Sequence, residues 1–181
     1  MIDYVFLGLA LIGLLFPTIL YPIVVRNKVN NKHFPTSYSG TYSIWYNVSK
    51  ATGRHFEHIF TAWTGIESVL LLPALVYYSD TYLEICMAVF GLVSLVFVGL
   101  FPSSIKSEIT KWHCIFAKIC AIDAMLWLFL KGIYIPTLIY LIGGYIWSKG
   151  WQKKYETMIM EFMAFVSAYT GVIICSVMGL L

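Results

Sequence analysis

The feature that most constrains this chain is a succession of apolar runs, each near the length of a membrane span, separated by short polar stretches. Crossing the ~30 Å hydrocarbon core of a bilayer takes about 20 helical residues at about 1.5 Å each. That rule predicts helices at 3–25, 55–79, 82–102, 111–131, 132–148 and 157–180: an all-α, polytopic transmembrane bundle of about six helices. Composition removes the soluble alternative. The 181 residues are 60% hydrophobic and 12% charged, with a mean hydropathy of +0.79. Soluble domains are about 25% charged, so there are too few polar residues here to cover a water-facing surface.

The fifth run is the shortest. Pro136 interrupts it and only Lys131-Gly132 separates it from the fourth. Were it re-entrant, the C-terminus would change sides, and irregular backbone at that depth would need protein or water around it. The first run carries Asp3 as its only early charge and extends past Pro17 and Pro22 to Val25. It therefore reads as a retained helix and not as a cleaved signal.

Cations orient the spans. Loop 1 (26–54) carries Arg26, Lys28, Lys32, Lys50 and Arg54, loop 3 carries Lys106 and Lys111, and loop 5 carries Lys149, Lys153 and Lys154. The opposite side has only Lys131. Positive loops stay in the cytoplasm, which places loops 1, 3 and 5 there and both termini on the non-cytoplasmic side of a multi-pass membrane protein. Trp112, Trp147, Trp151, Tyr77, Tyr78, Tyr82 and Tyr134 fall near span ends, where amphipathic rings collect. The sequon Asn47-Val48-Ser49 lies in a loop read as cytoplasmic, which argues against its glycosylation. Loop 1 is aromatic and hydroxyl-rich over 33–46. It can lie at the lipid headgroups or pack over the end of the bundle.

Ionisable residues inside spans are costly and so carry the most information about function. Helices 2, 4 and 6 enter from the same side, which puts His58, His113 and Glu161 in a layer near the cytoplasmic boundary and Glu67 with Asp123 deeper. Small residues recur at helical spacing below His113 (Ala117, Cys120, Ala121, Ala124) and below Glu161 (Ala164, Ala168, Gly171, Cys175, Gly179). Such seams let helices approach closely in lipid. Helices 4 and 6 are therefore expected to pack on each other, with His113 meeting Glu161. That pair is either a clasp that sets register or a catalytic pair, with His113 as acid/base and Glu161 orienting it. Glu67 shares a polar stripe with Thr61, Thr64 and Ser68 that should face the interior, with Asp123 as a candidate neighbour. Lys118 is expected to snorkel outward.

Other chemistries need particular companions. A metal could use His55, His58 and His113 with Glu57 or Glu161, and a haem could bridge His58 and His113. The cofactor therefore stays open. Glu67 and Asp123 could serve a proton- or cation-coupled transporter or channel, although the sequence has no inverted repeat. Cys86, Cys114, Cys120 and Cys175 all fall in apolar runs, as small hydrophobes do. No phosphate loop or nucleophile elbow is present, and nucleic acid is not an expected partner.

One set of residues resembles a known group. Phe34-Pro35-Thr36-Ser37-Tyr38-Ser39 follows the first helix, Val98-Gly99-Leu100-Phe101-Pro102 ends the third, and Trp112-His113-Cys114-Ile115-Phe116-Ala117 opens the fourth. The pattern is similar to small six-helix membrane proteins of the Frag/DRAM/Sfk type and their bacterial and phage relatives. The resemblance implies six spans and a role in membrane-lipid remodelling or organelle regulation, and carries over His113 alone. It points to membrane lipid as partner, beside the rival expectations of a transporter or of an accessory subunit bound to another membrane protein. Reporter fusions at either terminus should be silent in the cytoplasm and active outside it. The reverse pattern would overturn the orientation.

Overall fold

The computed structural model describes residues 1–29, 35, 37–56, 58–101, 107–150 and 156–181. Most of these residues are helical, with no strand among them. The first helix, α1, runs continuously over residues 2–29, as helix Ile2–Gly13, a π-helical stretch Leu14–Leu20 and helix Tyr21–Val29. Next come α2 (Thr41–Thr52), α3 (Ile59–Tyr77), α4 (Tyr82–Leu100) and α5 (Ser107–Leu130). The sixth, α6, covers residues 134–150, with a π-helical turn at Ile139–Gly143, and α7 is Glu156–Leu180. Five helices are long and apolar enough to cross a membrane: α1, α3, α4, α5 and α7. The chain is a multi-pass membrane protein.

The sixth expected span is real as a helix but shorter, with an apolar part of Tyr134–Ile146. It runs antiparallel to α7. Ser167 donates to the Pro136 carbonyl at 2.8 Å, and further along Gly143 and Gly144 lie against Met163 and Met160. The turn into α6 uses Gly132, whose φ of +69° suits glycine. The Ile133 N–H reaches back to the Leu128 carbonyl at 3.0 Å, closing a Schellman turn.

Loop 1 is partly helical: α1 extends to Val29, α2 fills 41–52, and between them Tyr38 is buried in the bundle. Its residues 30–34 and 36, including His33 and Phe34, lie outside the described residues, as do Lys32, Glu57, Lys106, Trp151, Lys153 and Lys154.

The helices form two layers. α4 packs tightly between α3 and α5, while α1 and α6 flank α7, and α1 closes onto α3. Small residues make these contacts. Gly99 lies against Thr64 and Thr61, with the Thr61 hydroxyl on the Gly99 carbonyl at 2.8 Å. Gly13 leaves no room for a Cβ beside the Tyr169 ring. One end of the bundle is tied by polar side chains. The Tyr78 hydroxyl is 3.0 Å from both Asp3 and Ser176, Trp127 donates to Ser79 at 3.0 Å, and Lys131 pairs with Asp80 and, at 3.9 Å, with Glu84. Thr81 caps α4 by accepting from the Glu84 N–H, and Glu84 returns to the Asp80 N–H. Arg26, Lys50, Arg54, Lys111 and Lys149 fall toward the other end, so the bundle has an acidic and a basic end.

The π-helical stretch follows from two prolines five residues apart. Tyr21 N–H bonds the Phe16 carbonyl, and Pro22 has no N–H to give. The carbonyls of Pro17 and Thr18 are thus both left without a backbone donor, since residue 22 would have served either. Trp63 Nε1 takes the Pro17 carbonyl at 2.8 Å, and the Tyr38 hydroxyl takes that of Thr18. Trp63→Phe should lower thermal stability in detergent by about 1–3 kcal/mol, the cost of one unsatisfied buried acceptor. Adding Pro22→Ala, which restores an N–H, should recover part of that loss. Full additivity in the double variant would refute the account.

Candidate functional site

Glu67 sits at mid-depth in α3 and is fully buried, at 0% exposure. Each of its oxygens is taken by a hydroxyl. Thr18 of α1, whose Oγ1 also lies 3.0 Å from the Gly13 carbonyl, approaches Oε1 at 3.1 Å, and Tyr169 of α7 donates to Oε2. Proline at position 17 offers no N–H to that Gly13 carbonyl, and the single hydroxyl hydrogen of Thr18 can go to it or to Glu67. Thr18, Glu67 and Tyr169 thus join α1, α3 and α7 in one buried knot. Asp123 is not part of it. Its Cβ lies over Gly91 of α4, so the expected pairing of the two carboxyls is absent from this arrangement.

Tyr38 extends the knot toward the basic end. It is 1% exposed and stacks on Trp63 with ring centroids 4.9 Å apart. Its N–H donates to Glu161 Oε2 at 2.6 Å while its hydroxyl holds Thr18. Burial, and then the charges of Glu67 and Glu161, push its phenol well above the ordinary tyrosine range, so it stays protonated and acts as a donor. One residue from loop 1 therefore pins α7, α1 and α3 together.

His113 does not meet Glu161. It is 4% exposed, and its Nδ1 lies 3.1 Å from the Val98 carbonyl and 2.9 Å from that of Phe101. Carbonyls only accept, so Nδ1 carries the proton, and the ring caps the C-terminal end of α4 with a donor its own backbone lacks. His58 and His55 lie at the exposed turn before α3. Among the described residues no three His, Cys, Asp or Glu side chains come together as a metal site. The residues weighed for a haem, His58 and His113, are likewise apart in role, one exposed and one sealed against α4.

The small-residue seams of α5 and α7 do not close on each other either. α5 is drawn onto α4 and α7 onto α1 and α6. The two helices converge at the acidic end, where Leu128 fills the space over Gly171, and part toward the basic end. The space between is a cavity of about 270 Å³. Ala117, Cys120, Ala121 and Ala124 line one wall and Glu161, Ala164 and Ala168 another. On α4, α5 and α7 the lining runs from Met87 to Val98, from Ala117 to Leu128 and from Thr157 to Ala168, a length of about 16 Å at the helical rise. It is chiefly apolar. Its polar members are Ser39, Lys118, Asp123, Tyr140, Thr157 and Glu161. Lys118 and Thr157 are exposed, so the cavity opens beside them.

No family model matches this chain, and no curated protein or solved structure matches it.

Tyr169, Thr18, Trp63 and Tyr38 complete the site, and only the two prolines gave a sequence signal for any of them. Tyr169→Phe and Thr18→Val should each destabilise the protein by about 1 kcal/mol. Their double variant should fall short of the sum, because both act on one carboxyl. Strict additivity in thermal unfolding would remove the knot as a unit.

Proposed function

We propose that this membrane protein takes a lipid hydrocarbon chain into the cavity between α5 and α7, with its basic end in the cytoplasm. The observation that carries this reading is the cavity itself: about 270 Å³, long, chiefly apolar, and opening beside Lys118 and Thr157. Ligand cavities run from about 300 Å³ upward, so this one suits a single narrow chain. In a bilayer the medium at its mouth is lipid, and an acyl chain loses nothing by exchanging lipid for an apolar wall. The polar lining gathers mostly toward the basic end, where a headgroup would sit.

The basic loops support the orientation by the positive-inside bias. The lipid-linked roles implied by the likeness to the Frag/DRAM/Sfk group agree with it. Under this reading His113 and Glu67 hold the walls of the cavity and perform no chemistry, since His113 is spent on α4 carbonyls and Glu67 on two hydroxyls. A transporter reading gains less support, because the links through Tyr38 to Glu161 and Thr18 run through backbone N–H and C=O groups, which relay protons poorly.

Filling the cavity is the test. Ala164→Phe and Ala121→Phe should each sharply reduce lipid co-purified with the protein, read by mass spectrometry, while the helical signal stays. An unchanged lipid complement in both variants would refute the proposal.

A further inference from the structure

Two carboxyls line this cavity without an ion pair among the described residues. Glu161 gives one oxygen, Oε2, to the Tyr38 N–H, and among the described residues Oε1 accepts nothing. Asp123, lower on the α5 wall, accepts no hydrogen bond and joins no ion pair among the described residues. Lys118, on the same helix, lies about 140° around from Asp123 by the helical repeat and is exposed at the mouth. A half-buried carboxyl oxygen that faces an apolar cavity within a membrane has no bulk water at hand, so Glu161 Oε1 is left in want of a donor. The walls nearby are aromatic: Tyr38, Trp63 and Phe165 all line the space. Carboxyl acceptors set among aromatic faces are the surroundings in which an ammonium is held.

We infer that the ligand is an amphiphile with a primary amine, its hydrocarbon chain along the Ala-lined walls and its ammonium donating to Glu161. The inference rests on the lipid-chain reading above and adds the chemistry of the head. A primary ammonium has three N–H groups, one of which would satisfy Glu161 Oε1. The amine can belong to a phospholipid headgroup or to a free long-chain amine, and the chemistry at Glu161 is the same.

The test uses the full chain purified in maltoside micelles. Thermal unfolding is followed with dodecylamine, dodecyltrimethylammonium and dodecanol, and separately with phosphatidylethanolamine and phosphatidylcholine. The amine should bind about tenfold or more tightly than the trimethylammonium or the alcohol, as loss of a charge-assisted hydrogen bond implies. Protection by dodecylamine assigns the site to a free amine, and protection by phosphatidylethanolamine over phosphatidylcholine assigns it to a lipid head. Either supports the inference. Glu161→Gln should abolish the preference for the amine over the alcohol. If the alcohol protects as well as the amine, or the Glu161 variant keeps the preference, the amine assignment fails and the lipid-chain reading survives. If no chain protects and no lipid co-purifies, both fail together.

Discussion

In hydrocarbon a backbone carbonyl that loses its helical donor has no water to fall back on, and each such group costs several kcal/mol. α1 carries two of them, at Pro17 and Thr18, because Pro22 cannot donate and the register has already shifted at Phe16. The rest of the bundle is arranged around answering these carbonyls. Trp63 must face α1 to supply its indole, which fixes the rotation of α3 and turns Glu67, one helical turn further on, toward the same helix. Tyr38 must leave the surface to supply its hydroxyl, which draws loop 1 into the bundle and sets its N–H on Glu161. Thr18 and Tyr169 then meet on Glu67, and α7 is locked to α1 where Gly13 makes room.

That arrangement also explains the cavity. α7 is held by α1 and α6, while α5 is held by α4 through the His113 ring and the close fit of Asp123 over Gly91. Neither helix is free to slide toward the other, so their alanines face an opening where contact would otherwise form. The site is a by-product of two strong layers whose α5 and α7 diverge toward the basic end.

The all-α, multi-pass architecture was legible from the apolar runs, and most helix limits followed to within a few residues. The misreadings came from pairwise reasoning. Seams of small residues on α5 and α7 satisfy the rule for close packing, but the rule does not say which neighbour each seam chooses. His113 was matched to Glu161 by depth, whereas the nearest unmet need was the end of α4, a backbone demand that no side-chain pattern announces. The Glu67 knot was half legible: its stripe on α3 pointed inward, yet its partners lie 49 and 102 residues away. Tyr38 left no periodic trace at all, being one aromatic among many in loop 1. Only the Pro17–Pro22 spacing could have foretold it.

The shortness of α6 reaches beyond the protein. Its apolar stretch, Tyr134–Ile146, covers about 20 Å at the helical rise, well under the ~30 Å of an ordinary hydrocarbon core. Lipids touching that flank must compress or tilt to match it, at a cost of fractions of a kcal/mol for each ångström of mismatch. Where such a helix lies across a bilayer, local thinning beside it favours shorter tails.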